Sequence, residues 1–163
     1  MGIFYQSESE LLNQLKNIRS QKKIIFTNGC FDLLHVGHVR YLQEAKNLGD
    51  YLIVGINTDS SVKILKGPTR PIQEENDRAE ILAALAAVDA TILFNDETPE
   101  KLIHTIKPDI LVKGGDWTVD NIVGGNFVQS YGGKVFSLQF IDGKSTTNLI
   151  SKSNTKIPVG KDS

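Results

Sequence analysis

Two histidines three residues apart, His35 and His38, bracket Gly37 in the run Thr27-Asn28-Gly29-Cys30-Phe31-Asp32-Leu33-Leu34-His35-Val36-Gly37-His38. An apolar stretch precedes the run, which therefore reads as a strand, a tight glycine-containing loop and the first turn of a helix. Side chains three apart at a helix start share one face. The backbone N–H groups there have no intrahelical partner, so they attract anions. Gly37 removes a side chain that could block a phosphate. Together these residues form a phosphate cradle with two hydrogen-bond donors. Nucleotidyl transfer needs such a cradle, because charge grows on the non-bridging oxygens of an α-phosphate while pyrophosphate leaves. Asp32 could complete a metal site on the histidine pair, but the phosphate reading is preferred and no metal bound by the protein alone is expected.

The elements that must position these residues alternate along the chain. Ser9 is a candidate cap for a helix carrying Leu11, Leu12, Leu15 and Ile18. Strands are predicted at Lys23–Asn28, Tyr51–Asn57, Thr91–Phe94, Asp109–Lys113 and Lys134–Phe140. Helices are predicted at His35–Leu48, at Glu74–Ala87, between Pro99 and Pro108, and from near Ser145. Gly67-Pro68-Thr69-Arg70-Pro71 must be a loop, because its two prolines block helix and central strand alike. Apolar strands without period-2 alternation, separated by helices, indicate a parallel sheet covered on both faces. The expected fold is a single Rossmann-like, doubly wound α/β domain with a five-stranded, mainly parallel sheet. Ligands bind such sheets beyond the carboxyl ends of the strands, near the point where strand order reverses. The division expected is an N-terminal helix packed on the domain (1–21), the domain itself (22–152) and a flexible tail (153–163).

With 163 residues, 40% hydrophobic and 23% charged, the chain has enough apolar side chains for one core. Its net charge of -1 gives no surplus for non-specific nucleic-acid or membrane binding, so small-molecule chemistry is expected. Cys30 is the only cysteine, which excludes an intrachain disulfide and a zinc site of several thiolates. It reads as a small buried side chain, because no cation beside it in sequence suggests a reactive thiolate. No stretch approaches the ~18 apolar residues of a membrane span, and no secretory layout opens the chain. A soluble, cytoplasmic protein is expected.

The run from Cys30 to His38 resembles the HxGH signature of the cytidylyltransferase-like nucleotidyltransferase superfamily, and the resemblance extends from about Lys22 to Lys152. Four further stretches are similar to the adenylyltransferase domain that activates heptose 1-phosphate: Leu65–Pro71, Asp77–Glu80, Leu111–Trp117 and Ser145–Asn148. The resemblance implies transfer of AMP from ATP to a heptose 1-phosphate, giving ADP-heptose and pyrophosphate, with Mg²⁺ carried on the triphosphate. It assigns catalysis to His35, His38 and Lys66, with Lys63 as an assistant. Nucleotide contacts would come from Thr27, Asn28, Gly29, Phe31, Gly37, Arg78, Gly114, Asp116, Ser145, Thr146 and Thr147. Several of these have a structural reading as well. Arg78 could pair with Glu74 or Glu75 on its helix, Ser145 to Thr147 could form an ordinary N-cap, and Trp117 could be core or stack on a base. Asp59 could help to hold Mg²⁺ or form a turn, and His104 reads as structural or surface.

Related glycerol-phosphate cytidylyltransferases carry an arginine where this chain has Phe140 and Ile141, which weakens the alternative of CTP with glycerol 3-phosphate. A non-catalytic nucleotide-binding regulatory module is a second alternative, opposed by the intact His35, His38, Lys66 and Arg78 set. Class I aminoacyl-tRNA synthetases share the HxGH pattern, but the chain has no Lys-Met-Ser-Lys-Ser loop and no basic surplus. Sugar kinase and phosphatase steps are expected on separate polypeptides, and a homodimer is compatible with superfamily habit.

Overall fold

The computed structural model describes residues 1–139 and 145–154. Its strands are β1 (Ile3–Tyr5), β2 (Ile24–Gly29), β3 (Tyr51–Asn57), β4 (Ala90–Phe94), β5 (Ile110–Gly114) and β6 (Lys134–Leu138). They form one sheet in the order β1-β4-β3-β2-β5-β6, and every pair is parallel. The helices are α1 (Glu8–Ile18), α2 (Val36–Lys46), α3 (Asp59–Lys66), α4 (Glu75–Ala83), α5 (Glu100–Ile106), α6 (Gly125–Ser130) and α7 (Thr146–Asn154), with a 3₁₀ turn at Val119–Asn121.

Alternate strand residues enter two separate cores, which is why the strands read as continuous apolar runs. Ile24, Phe26, Ile53, Ile92 and Leu111 pack against Leu11 and Leu15 of α1 and Leu102 and Ile103 of α5. Ile25, Leu52, Val54 and Val112 face the other way, onto Tyr41 and Leu42 of α2 and Ala79 and Leu82 of α4. The starts of β3 and β2 are tied by carboxylates from the turns before their neighbours β4 and β5. Asp89 accepts from Leu52 N–H at 2.7 Å and Asp109 from Ile24 N–H at 2.7 Å.

The α/β class is as expected, but the sheet has six strands and not five. The additional strand, β1, is three residues long, too short to show a period. It exists because β4 offers an edge, pairing Ile3 with Ala90 and Tyr5 with Ile92, while Gly2 N–H reaches Ala83 O at 2.9 Å. Helix α1 starts two residues earlier than Ser9 would set it, because Ser7 accepts from Glu10 N–H. Helices α3 and α6 were not expected; α3 is capped by Thr58, whose side chain accepts from Ser61 N–H. The last helix includes Ser153 and Asn154, while 155–163 and the Phe140–Ile141 positions lie outside the described residues.

Thr27 was expected to touch nucleotide, but its side chain is fully buried and its hydroxyl meets Tyr41 Oη at 2.5 Å. It anchors β2 to α2. Tyr41→Phe should cost about 1–2 kcal/mol by leaving the Thr27 hydroxyl without that partner, read as a lower urea midpoint with unchanged slope. An unchanged midpoint would show that this bond contributes nothing.

Candidate active site

Strand order reverses between β2 and β5. From β2 the chain runs to β3 and β4 on one side, whereas β5 and β6 lie on the other. The loops leaving the carboxyl ends of β2 and β5 therefore diverge and open a crevice. After β2 the chain turns sharply at Phe31, whose φ of 48° is a left-handed conformation that a non-glycine residue adopts at a cost of order 1 kcal/mol. Burial of its ring opposes that cost. The ring packs on Gly29, where a Cβ would lie 2.9 Å from it, and meets the His38 ring edge-on at 5.2 Å between centroids.

His35 is the N-cap of α2, with extended backbone, and His38 stands one turn on. Their rings stack at 3.9 Å. The His35 backbone N–H donates to His38 Nδ1 at 3.4 Å, which leaves the ring proton of a neutral His38 on Nε2. Burial, and then the neighbouring His35 charge, push the His38 pKa down to about 4. At neutral pH His38 is thus an uncharged donor at a helix start, and Gly37 beside it is buried.

The loop after α3 is fastened to the histidine loop at two points. Asp32, 2% exposed, accepts from Arg70 Nε at 2.5 Å and from the N–H groups of Ile72 and Gln73 at 2.8 and 3.0 Å. Burial raises the Asp32 pKa, but the Gln73 N–H, Arg70 and the Ile72 N–H outweigh it and hold the carboxyl below its ordinary value. Arg78, 1% exposed, donates to Cys30 O at 2.6 Å, Asn57 O at 2.8 Å, Gln73 O at 3.0 Å and Asp59 Oδ1 at 2.7 Å.

These contacts revise several expectations. Arg78 pairs with neither Glu74 nor Glu75, and it lies beneath the site with its guanidinium committed to the protein, so a phosphate contact has no physical opening. Asp32 has both carboxylate oxygens occupied by Arg70 and two backbone N–H groups, whereas Asp59 meets Arg78 through Oδ1. Lys66 ends α3 on the exposed surface before Gly67, whose φ of 101° suits only glycine. Lys63 is also exposed.

On the β5 side, Gly114 closes the strand, Gly115 bends with φ 111°, and exposed Asp116 accepts from Gln139 Nε2 at 2.8 Å. Trp117 is 48% exposed and therefore not core; its indole N–H donates to Gly114 O at 3.2 Å. Ser145 accepts from Asn148 N–H as an N-cap, and Thr146 donates to Leu33 O at 3.0 Å. That bond sets the start of α7 against the histidine loop. Thr147 is exposed beside it, and Asn28 and Gly29 lie in the β2 ladder opposite Gly55 and Ile56. His104 stacks on Phe127 at 3.7 Å, away from these residues.

Two cations were not singled out from the sequence. Lys113, half-buried at the end of β5, holds its ammonium 5.9 Å from the Trp117 ring centre, and burial lowers its pKa. Arg70 is the other. With Lys66 and Arg78 they lie close enough to Cys30 to pull its thiol pKa down, although burial prevails and the thiol stays raised. Neither Lys66 nor Lys113 has an acidic partner among the described residues. The available signals were weak: a lysine ending a strand before Gly-Gly, and an arginine between two prolines. Two concavities, of about 270 Å³ beside Asp120 and about 440 Å³ beside Lys23 and Lys134, include none of these residues. The second lies at the amino-terminal edge of the sheet, opposite the crevice.

A family model described as cytidylyltransferase-like matches residues 26–152. The bifunctional protein HldE of Syntrophotalea carbinolica is 51% identical over 153 residues, 91% of this chain and 31% of that protein. The bifunctional protein HldE of Citrifermentans bemidjiense is 58% identical over 131 residues, 80% of this chain and 27% of that protein. The chain thus spans about a third or less of the length of these curated relatives. Among solved structures, a lipopolysaccharide core biosynthesis protein from Thermoplasma volcanium is similar at TM-score 0.60 and 32% identity, covering 74% of this chain and 97% of that one. Pantoate-beta-alanine ligase from Francisella tularensis shares the fold at TM-score 0.61 and 15% identity, over 94% of this chain and 77% of that one.

The His38 value fixes the sign of a pH effect. A pKa of about 4 in the folded chain against 6.5 otherwise means that the folded state binds fewer protons below pH 6.5. The associated stability is complete above that pH and is lost progressively as pH falls toward 4. His38→Gln should flatten part of this loss in urea midpoints measured between pH 7 and 4; identical pH profiles for parent and variant would contradict it.

Proposed function

This chain belongs to the cytidylyltransferase-like family, and from that premise we propose that it transfers AMP from ATP to a heptose 1-phosphate, giving ADP-heptose and pyrophosphate. The observation that carries the reading is the pairing of a neutral donor, His38, with Lys66 and Lys113, cations without an acidic partner among the described residues, around one crevice. An oxygen of the sugar phosphate forms a bond to the α-phosphorus as the bond to the β-phosphate oxygen breaks, and the electron pair leaves with pyrophosphate. His35 and His38 hold the non-bridging oxygens, and the charge of Lys66 meets the departing pyrophosphate. Fixed donors and charges of this kind stabilise the transition state without reorganising. The Gly114–Trp117 loop is suited to base and ribose, and Ser145, Thr146 and Thr147 to phosphate oxygens at the start of α7.

Among the described residues no cluster of three or more His, Cys, Asp or Glu side chains is placed to hold a metal. Mg²⁺ carried on the triphosphate would supply charge neutralisation. Similarity to a lipopolysaccharide core biosynthesis protein supports the sugar end of the reading. The same reading implies sugar kinase and phosphatase steps in the pathway, no nucleic-acid or membrane partner and a cytoplasmic location, and is compatible with a homodimer. No described helix is long and apolar enough to cross a membrane.

Pyrophosphate release with Mg²⁺ across nucleotides and phosphorylated acceptors tests the reaction. ATP with heptose 1-phosphate should be the productive pair; turnover with CTP and glycerol 3-phosphate alone would replace the reading, and ATP binding without any turnover would favour a regulatory module. His38→Ala should lower turnover by about 10²–10³, as for loss of one oxyanion-type donor, with little change in nucleotide affinity. Lys66→Ala should lower kcat more than it raises KM for ATP, because the charge it meets grows during reaction. A rise in KM alone would restrict Lys66 to ground-state binding.

A further inference from the structure

We propose that Arg70 binds a phosphate group in this crevice and that Asp32 is the residue that positions it. The reading above supplies the identity of the substrates; the geometry of the pair supplies the rest.

Asp32 lies in the loop between β2 and α2, three residues before His35, with only 2% of its surface exposed. One oxygen accepts two backbone N–H groups of the facing loop, from Ile72 and Gln73, which fixes the carboxylate in place. The other accepts from Arg70 at Nε, the inner nitrogen of the guanidinium. Neither terminal nitrogen of Arg70 bonds to a described residue, although the side chain is only 17% exposed. An arginine gripped at Nε by a fixed anion presents its remaining N–H groups as a rigid fork, the geometry that matches two oxygens of a phosphate.

Comparison with Arg78 sharpens the assignment. Arg78 uses Nε and both terminal nitrogens on three carbonyls and a carboxylate, as a cation held for structure must when it is fully buried. Arg70, in the same cluster around Cys30, is only half engaged. It follows Lys66 by four residues, on the loop that Asp32 fastens beside the histidines. An ion pair kept only for stability would engage the fork as well, since the fork offers the stronger bidentate contact.

The phosphate could belong to ATP or to the sugar phosphate, and the two share this chemistry. The test varies each substrate separately for the full chain and for Arg70→Gln, Arg70→Lys, Asp32→Asn and the Asp32→Asn/Arg70→Gln pair, with melting temperatures alongside. Arg70→Gln should raise KM for one substrate by about tenfold or more, and Arg70→Lys should recover only part of that loss because a point charge lacks the fork. The substrate whose KM rises identifies the phosphate. Asp32→Asn should raise the same KM by less, and the double variant should be no worse than Arg70→Gln. Unchanged KM values in folded Arg70→Gln would overturn the proposal, and additive losses would overturn the role of Asp32. If Asp32→Asn does not fold, the two Arg70 variants decide alone. If the parent turns over no substrate pair, the reaction reading falls, and calorimetric titrations with inorganic pyrophosphate and with inorganic phosphate still judge Arg70: weaker binding of either by Arg70→Gln supports it and equal binding of both overturns it.

Discussion

The buried guanidinium of Arg78 is the constraint on which the site depends. A cation with 1% exposure is tolerable only if nearly every N–H finds an acceptor, and the acceptors here come from separate pieces of chain. Cys30 O follows β2, Asn57 O ends β3, Asp59 opens α3 and Gln73 O precedes α4. Satisfying one charge therefore fixes where the histidine loop starts, where the Lys66 helix starts and where the loop after it returns. Moving any of these would leave a buried charge or carbonyl without its partner, so they are held as a unit.

A second fastening lies closer to the surface and has a different character. Asp32 reaches across to the Arg70–Gln73 segment with one carboxylate, so the two loops that bear the candidate chemistry meet through a charge-assisted contact. Between these two fastenings lies Cys30, surrounded by four cationic side chains yet with a raised thiol pKa, since burial outweighs them. Only part of the positive charge gathered there is neutralised by acidic side chains: Asp32 and Asp59 serve the arginines, and among the described residues both lysines are left over. Gathering unpaired like charges opposes folding, which is the expected signature of a place shaped for an anion.

Much of this was legible in the chain. The histidine spacing, the strand before it and the apolar runs that become two cores all follow from local pattern, because residue type and period set strand or helix whatever partner the fold later supplies. What was hidden depends on long-range partners. Arg78 looks like a helix-surface residue, with Glu74 and Glu75 one turn away, until the fold brings Cys30 and Asn57 over it. Thr27 belongs to a motif that resembles a nucleotide contact, yet strand parity turns its hydroxyl inward to Tyr41. The strand β1 is created by an edge elsewhere in the sheet, and three residues carry no period that a sequence could reveal. Arg70 is similar: nothing local says that its carboxylate partner lies 38 residues away.

The histidines and the cations divide the electrostatic work. His38 is pressed between the His35 ring and the edge of Phe31, and burial keeps it neutral. A neutral imidazole with its proton on Nε2 donates a directional hydrogen bond and adds no repulsion to a cluster that already holds several positive charges. The lysines and arginines supply the long-range attraction that draws an anion in. Had His38 stayed protonated, the cluster would have carried one more charge without a counter-ion, at a stability cost that the buried setting would have increased. The left-handed turn at Phe31 belongs to the same arrangement: it is the local strain that places an aromatic edge where it both buries His38 and steers the chain into α2.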